Sequence, residues 1–281
     1  MPTRWGTARP YQHARRTYRG RVLLEDLRHP RRVVPLSAVH NFRDVGGYPT
    51  RDGGRTAWGR LYRADGLQRL DADDLATFAR LGIRTVVDLR TEREVARHGA
   101  FPVAAHPLDW HHVSIVDATW GEMETPTYDD VADFLVWAYR VMLEESAARF
   151  ARAFTLLADA GVQPAVYHCA AGKDRTGILT ALVLSSLGVP DEWVAADYGL
   201  TEEAMARKIA WARVHLPELA ARFDRVPRAF VAADPRAMTV ILDDLRRDHG
   251  GAEGYLRAHG VGEAAMAAMR ETLVSRPSSS R

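Results

Sequence analysis

Apolar and polar residues alternate with two periods along the first two thirds of the chain, one typical of strands and one of helices. Residues 36–62 form short apolar runs around glycine turns, which predicts short strands. Asp71 precedes an apolar face with helical spacing that stops at Gly82, so we expect a capped helix there. Residues 84–89 are predicted to form a strand, and Thr91 to open the next helix.

The alternation continues through the middle of the chain. A strand is predicted near residues 104–108, before a polar, tryptophan-bearing loop over residues 109–127. Two helices follow at about 129–143 and 146–160, and residues 164–168 are predicted as another strand. Strands that alternate with helices indicate an α/β domain with a parallel central sheet flanked by helices.

Beyond Gly188 the pattern is almost wholly helical, with helices predicted at residues 201–215 and 235–249. This predicts a helical C-terminal extension of the α/β domain. The chain is therefore divided into a basic N-terminal extension, a single domain and a disordered tail, at residues 1–35, 36–275 and 276–281.

Composition narrows the class of protein. A chain of 281 residues with 47% hydrophobic content can bury one large core. No apolar run reaches the length of a membrane span, and no secretory signal pattern opens the sequence. The single cysteine excludes an intramolecular disulfide, which is consistent with a reducing compartment. These features predict a cytoplasmic protein.

The net charge of +2 hides an uneven distribution. Residues 1–34 hold nine arginines against Glu25 and Asp26, a net charge of +7 for this arm. Such an arm could bind nucleic acid or acidic lipid headgroups, or serve as an Arg-rich transit peptide. We favour a solvated, strand-forming extension, because the arm lacks the motifs of nucleic-acid recognition.

The motif that carries chemistry follows the strand predicted at residues 164–168. Cys169 and Arg175 lie in the string His-Cys-Ala-Ala-Gly-Lys-Asp-Arg-Thr-Gly, after which a helical pattern begins. A loop between a strand and a helix N-terminus points backbone N–H groups at one spot, and the helix dipole adds positive potential. Arg175 offers a planar fork of donors for two phosphate oxygens, and this field favours a thiolate at Cys169. We expect a phosphate cradle with a nucleophile at its floor, rather than a buried structural thiol.

The loop resembles the signature of the cysteine-dependent phosphatases, and its Gly-Lys-Asp-Arg form is similar to that of bacterial tyrosine and dual-specificity phosphatases. Further stretches, spread over about residues 39–274, resemble the same family; they lie at residues 41–44, 59–65, 81–83, 88–95, 196–198 and 254–257. The resemblance implies a protein-tyrosine-phosphatase-like fold and hydrolysis of phosphomonoesters through a phosphocysteine intermediate. No metal or cofactor is expected, since a cysteine mechanism needs none and the histidines lack ligand spacing.

The general acid is the harder assignment. None of the seven tryptophans is followed by proline, so the mobile Trp-Pro-Asp loop of the larger tyrosine phosphatases is absent. The resemblance makes Asp174, inside the signature loop, the leading candidate. Asp109 in the predicted flexible loop is the second candidate, and Asp65 the third.

The remaining predicted site residues surround the phosphate. The resemblance and the loop pattern assign phosphate or substrate binding to Ala170, Ala171, Gly172, Lys173, Thr176 and Asp88. Thr176 is expected to hydrogen-bond the thiolate, and a simple helix cap is the alternative. Asp88 ends a strand and is placed at the pocket rim, with an ion pair to Arg90 or Arg93 as the alternative.

Two further features bear on the site. Residues 41–44, Asn-Phe-Arg-Asp, are expected to form a network that braces the loop, with Arg43 and Asp44 paired. Residues 201–236 are a candidate lid, an interpretation that the resemblance supports.

We consider three hypotheses for the function. The first is a phosphatase for phosphotyrosine proteins, extending to phosphoserine and phosphothreonine, with a phosphoinositide phosphatase as the alternative because Lys173 suggests tolerance for multiply charged substrates. The second is a phosphate-binding module without turnover, and the third a sulfur transferase. The intact Cys-x5-Arg loop argues against the second, and its continuation into a helix against the third. Neither a nucleic-acid partner nor a transmembrane segment is expected, and the oligomeric state is left open.

Overall fold

A mostly parallel five-stranded sheet forms the centre of the protein in a computed structural model that describes residues 27–275. The strands, in chain order, are β1 (Arg43–Asp44), β2 (Arg55–Thr56), β3 (Leu61–Ala64), β4 (Thr85–Asp88), β5 (Asp109–His112), β6 (Ala165–His168) and β7 (Val274–Ser275). The helices are α1 (Ala72–Leu81), α2 (Glu92–His98), α3 (Val131–Glu145), α4 (Ala147–Ala158), α5 (Asp174–Ser186), α6 (Asp191–His215), α7 (Pro217–Arg225), α8 (Arg228–Val231), α9 (Pro235–His249), α10 (Ala252–Ala258) and α11 (Glu263–Leu273).

The sheet order is β1-β3-β6-β4-β5, which places β6 in the centre. Strands β3, β6, β4 and β5 run parallel, whereas β1 pairs antiparallel with β3, and β2 and β7 form a separate pair. The register aligns Ala64 and Asp88 with His168, the last residue of β6. The loop after His168 therefore leaves from the middle of the edge where the parallel strands end, the usual place for a ligand.

Helices and loops cover both faces of the sheet, as a parallel sheet requires. On β6, Val166 packs on one face with Phe42 and Phe78, whereas Ala165 and Tyr167 belong to the larger core on the other face. Helix α5 lies in that larger core and is apolar and buried almost all round, as expected of a helix inside a domain. The packing of α5 fixes the position of the loop that precedes it.

Several predicted boundaries are confirmed by cap geometry. Asp71 accepts a hydrogen bond from the Asp74 backbone N–H at the start of α1, and Gly82 ends that helix in the left-handed region with φ 66°. Thr91 opens α2 in a reciprocal capping box with Glu94. Asp71 is thus a helix cap.

Two predicted elements differ from the structure. The strand predicted at 104–108 forms instead at Asp109–His112, because β5 is a half-exposed edge strand whose polar residues give no apolar signal. Helix α6 begins at Asp191, well before the predicted residue 201. Gly199 lies inside α6 where a Cβ atom would come within 2.8 Å of Pro235 Cγ, so close packing against α9 explains this helix-weakening residue.

The N-terminal boundary predicted at residue 35 is too late. Leu27 is buried in the core, and the fully buried Arg32 lies over the ring of Tyr48 at 3.9 Å. Residues 27–35 therefore pack with the domain, whereas the predicted roles of residues 1–26 and 276–281 lie outside the described residues. No helix within residues 27–275 combines the length and the apolar content needed to cross a membrane.

Candidate active site

The loop from Cys169 to Lys173 is held by side chains from distant parts of the chain. Asn41 Nδ2 donates to the carbonyl oxygens of Ala171 and Gly172 at 3.1 and 2.9 Å, and Arg63 Nη2 donates to Gly172 O at 2.8 Å. Because the C=O and N–H of one trans peptide point in opposite directions, holding these two carbonyls turns the N–H groups of Gly172 and Lys173 away from Asn41 and Arg63. These tertiary contacts fix the orientation of two loop peptides, as the predicted anion cradle requires.

Gly172 is required at this position. Its φ is +63°, and a Cβ atom there would come within 2.5 Å of the Ala64 carbonyl oxygen at the end of β3. Any other residue would therefore combine backbone strain with a clash against the neighbouring strand.

Glu94 holds Arg175 in a two-pronged ion pair. Arg175 Nη1 donates to Glu94 Oε2 at 2.5 Å, and Nη2 donates to Oε1 at 3.0 Å. Burial by itself lowers the pKa of Arg175, but the neighbouring Cys169 sulfur and Glu94 raise it, so the guanidinium stays charged. The sequence analysis did not assign Glu94 to the site. Its spacing from Thr91 indicates a capping box at the start of α2 but gives no sign of the contact with Arg175.

Cys169 and Thr176 are both buried, and Cys169 lies near enough to Arg175 to raise the pKa of the guanidinium. The Cys169 side chain is 2% exposed, and Thr176 is fully buried at the first turn of α5. Among the described residues, no protein group hydrogen-bonds the Thr176 Oγ1 atom. A buried hydroxyl without a partner is unusual. The hydrogen bond from Thr176 to the Cys169 sulfur is not formed in the structure and stays a prediction.

Asp174 begins α5 and lies at the wall of the site. Its Oδ1 atom accepts a hydrogen bond from Tyr139 Oη at 2.7 Å and lies 3.3 Å from Lys173 Nζ. Asp174 and Arg175 face the same cavity of about 190 Å³, whose lining includes Trp120 and Met142. A leaving group seated in this cavity would therefore lie near the leading candidate for the general acid.

The Lys173 side chain is directed away from the loop interior. It is fully buried, and its Nζ donates to the carbonyl oxygens of Ala229 and Ala232 at 2.8 and 3.0 Å. It also forms an ion pair with Asp174 at 3.3 Å. The ammonium therefore satisfies the carbonyls at the end of α8 and is engaged by these three groups, so its role in the loop is structural.

Asp88 also differs from its predicted place at the pocket rim. Its carboxylate is fully buried and accepts hydrogen bonds from Arg90 Nε at 2.9 Å and Arg90 Nη2 at 2.5 Å. Burial raises the pKa of Asp88, but His168 and Arg90 lower it further, so the carboxylate is charged. The alternative interpretation, an ion pair to Arg90, describes the structure.

The structure disfavours the other two candidate acids for different reasons. Asp109 is the first residue of β5 and pairs in register with Thr85, the first residue of β4. It therefore lies where the parallel strands begin, two strands away from β6 and level with Ala165. Four residues at roughly 3.3 Å and two strand spacings of roughly 4.8 Å place it about 16 Å from Cys169. Asp65 lies at the correct edge, but its carboxylate accepts hydrogen bonds from the His40 and Asn41 N–H groups and from Lys208 Nζ.

The network predicted at residues 41–44 braces the loop, but its pairing differs. Arg43 pairs with Asp197 on α6 at 3.0 Å and not with Asp44, because neighbouring residues of a strand point to opposite faces. Arg63 joins the same carboxylate at 2.6 Å and Tyr48 Oη donates to it at 2.7 Å. Although burial raises the pKa of Asp197, the two arginines hold it well below its usual range.

Replacing Asp197 with asparagine should lower the free energy of unfolding by about 3–5 kcal/mol, because two buried guanidinium groups lose their counter-charge. Since the folded-state pKa is depressed, the stabilisation in the wild type is present above the unfolded pKa of about 3.9 and is lost as the pH falls below it. Urea unfolding at neutral and acid pH measures both effects.

Asp191→Asn is the matched control on the same helix. Asp191 pairs with Arg51 and Arg246 at the surface, so its replacement should change stability by at most about 1 kcal/mol. An Asp197→Asn variant as stable as this control would contradict a structural role for the buried network.

The candidate lid of residues 201–236 contacts the loop from two sides. Lys208 on α6 donates to the Ala170 carbonyl oxygen and to Asp65, each at 2.8 Å. The end of α8 receives Lys173, as described above. This segment lies against the loop in the structure, and its opening stays a prediction.

These features define a class of protein. A cysteine in a loop between a central parallel strand and a buried helix, with an arginine six residues on, is the arrangement of a cysteine-dependent phosphatase. The chain matches the tyrosine phosphatase family over residues 34–275 and belongs to that family.

Relatives agree with this assignment. The chain is 30% identical over 283 aligned residues to the triple specificity protein phosphatase PtpB of Mycobacterium tuberculosis, an alignment that covers 86% of this chain and 99% of the relative. It is 27% identical to a tyrosine-protein phosphatase of Nostoc commune, over 72% of this chain and 69% of the relative. Among solved structures, the Siw14 catalytic core is similar with 14% identity and a TM-score of 0.37, covering 69% of this chain and 98% of that one.

Proposed function

We propose that the protein hydrolyses phosphotyrosine in proteins and that Cys169 carries the phosphoryl group between the two half-reactions. The Cys169 sulfur attacks phosphorus in line, so that an S–P bond forms as the bond to the leaving oxygen breaks. The inward N–H groups and Arg175 hold the equatorial oxygens in the loose transition state. Water then attacks the phosphocysteine and releases phosphate.

The single observation behind this proposal is the way in which distant residues prepare the cradle. Asn41 and Arg63 hold the loop carbonyls outward, and Glu94 holds the Arg175 guanidinium as a planar fork. Such preorganisation stabilises charge that develops during the reaction without reorganisation at that moment. A protein that only stored phosphate would need neither a buried cysteine nor a carboxylate at the helix start.

Asp174 is proposed as the general acid. It faces the cavity where the leaving group would lie, whereas Asp109 is at the far edge of the sheet and Asp65 is engaged with backbone N–H groups. Asp174 would protonate the leaving oxygen in the first step and take a proton from water in the second.

The cavity favours phosphotyrosine over a phosphoinositide. Its lining is apolar at Trp120 and Met142, which suits an aromatic ring, and carries Asp117 and Glu145. Arg149 lines the same cavity and pairs with Asp117 at 2.8 Å, so the preference rests on the fit of an aromatic ring and not on repulsion of the headgroup. The Lys173 side chain, which would suit a second phosphate, is committed to other partners. Phosphoserine and phosphothreonine are proposed as slower substrates, and a cytoplasmic location stays a prediction from sequence.

A turnover panel tests the proposed substrate. Phosphotyrosine peptide, phosphoserine peptide and a soluble phosphoinositide are compared by release of inorganic phosphate, with kcat/KM as the measure. The highest value should belong to the phosphotyrosine peptide. A higher value for the phosphoinositide would overturn the substrate assignment and leave the Cys169 mechanism intact.

Asp174→Asn should slow hydrolysis of phosphoserine peptide, an ester with a poor leaving group, by about 100-fold or more. Hydrolysis of p-nitrophenyl phosphate should fall far less, because its leaving group departs without a proton. Steady-state rates on both esters measure the difference. An equal loss on both would mean that Asp174 shapes the loop and does not donate the proton.

A further inference from the structure

Two buried tyrosines form a chain of hydroxyl groups that ends on Asp174. Tyr139 on α3 places its Oη atom 2.7 Å from Asp174 Oδ1 and 2.6 Å from Tyr198 Oη on α6. Both side chains are buried, at 0% and 1% exposure, and their rings meet edge to face at 87°. The sequence pattern places Tyr139 among the core residues of an amphipathic helix and gives no sign of this contact.

The direction of the hydrogen bonds follows from the donors available. Tyr139 has one hydroxyl proton, and an ionised carboxylate can only accept, so this proton goes to Asp174. Tyr198 must then donate to Tyr139. Burial raises the pKa of Tyr139 and of Tyr198 well above the usual value, so both hydroxyls stay protonated and each has one proton to donate.

A second donor converges on the same carboxylate oxygen. Lys173 Nζ lies 3.3 Å from Asp174 Oδ1, and an ammonium cannot accept a hydrogen bond. The Lys173 ammonium is a donor in either state of Asp174, whereas the Tyr139 hydroxyl donates to the ionised carboxylate. A proton carried by Asp174 is therefore favoured on Oδ2, away from the ammonium.

We propose that Tyr139, backed by Tyr198, is a positioning residue that holds Asp174 Oδ1 so that the catalytic proton is carried on Oδ2. The inference rests on the proposed role of Asp174 as general acid. As the leaving oxygen takes the proton from Oδ2, the charge left on the carboxylate is stabilised by the Tyr139 hydrogen bond at Oδ1. When water attacks phosphocysteine, Oδ2 accepts a proton and returns to the starting state.

The test compares Tyr139→Phe with Tyr255→Phe. Tyr255 is also buried and donates to the Leu143 carbonyl oxygen on the same helix at 2.7 Å, so its replacement removes a comparable hydroxyl without touching Asp174. Tyr139→Phe should lower kcat for phosphoserine peptide by about tenfold, the equivalent of one charge-assisted hydrogen bond. The rate on p-nitrophenyl phosphate should fall by less than about twofold, since little acid catalysis is lost there.

Tyr255→Phe should leave the ratio of the two rates unchanged, even if it lowers the unfolding temperature. Tyr198→Phe, which keeps the Tyr139 donor, should give a smaller change of about twofold to threefold. It serves as the second variant if Tyr139→Phe does not fold. In the Asp174→Asn background, Tyr139→Phe should add no further leaving-group dependence.

The outcomes separate this proposal from the proposed function. If Asp174→Asn shows the leaving-group dependence and neither tyrosine variant changes the rate ratio, the positioning role is overturned and the acid assignment stands. If Asp174→Asn shows no such dependence, the acid assignment itself fails. Equal losses on both esters in Tyr139→Phe would assign Tyr139 a packing role and overturn the proposal.

Discussion

Replacing Cys169 with serine is expected to reduce turnover by at least about 10⁴-fold, because a serine hydroxyl in this loop remains un-ionised near neutral pH and is a poor nucleophile. Steady-state hydrolysis of p-nitrophenyl phosphate measures the loss with high sensitivity. Binding of phosphotyrosine peptide, followed by calorimetry, should survive, since the cradle consists of backbone N–H groups and Arg175. The unfolding temperature should stay close to that of the wild type, because the change is a single atom in a buried side chain.

A residual rate above a few per cent of the wild type would show that another group attacks phosphorus. Loss of both turnover and peptide binding, with the fold intact, would show that the sulfur also contributes to the ground-state complex.

Replacing Arg175 with lysine is expected to lose about 10³-fold in kcat/KM, nearly as much as replacement with alanine. Glu94 holds the guanidinium through two hydrogen bonds, of 2.5 and 3.0 Å, and so sets the plane of its remaining donors. An ammonium in this position would pair with Glu94 as a point charge and could not reproduce the planar fork. Measuring kcat/KM of both variants on phosphotyrosine peptide shows how much of the loss comes from the planar geometry of the guanidinium and how much from its charge.

Arg246→Lys is the matched control for this exchange. Arg246 pairs with Asp191 and Asp243 at the surface, where an ion pair contributes little, so the activity should be unchanged. If Arg175→Lys keeps most of the wild-type rate, Arg175 acts through its charge alone.

Local sequence patterns were sufficient for the elements whose signals lie within a few residues. The caps of α1 and α2 confirm the predictions at Asp71 and Thr91, because a cap depends on side chains at neighbouring positions. The edge strand β5 escaped prediction because a half-exposed strand lacks the apolar run that marks a buried one. The start of α6 was not predicted, because Gly199 weakens the local helical signal and its packing against Pro235 is a tertiary contact.

The sequence by itself determined the loop that carries the chemistry, because the spacing from Cys169 to Arg175 and the strand and helix around it are local features. Only the tertiary structure decided which distant groups complete the site. Glu94 precedes Arg175 by 81 positions, and Tyr139 precedes Asp174 by 35. The fold also directs the Lys173 side chain away from the loop interior, and it places Asp109 at the end of the sheet where the parallel strands begin. Such partners depend on strand order and helix packing, and no spacing along the chain encodes them.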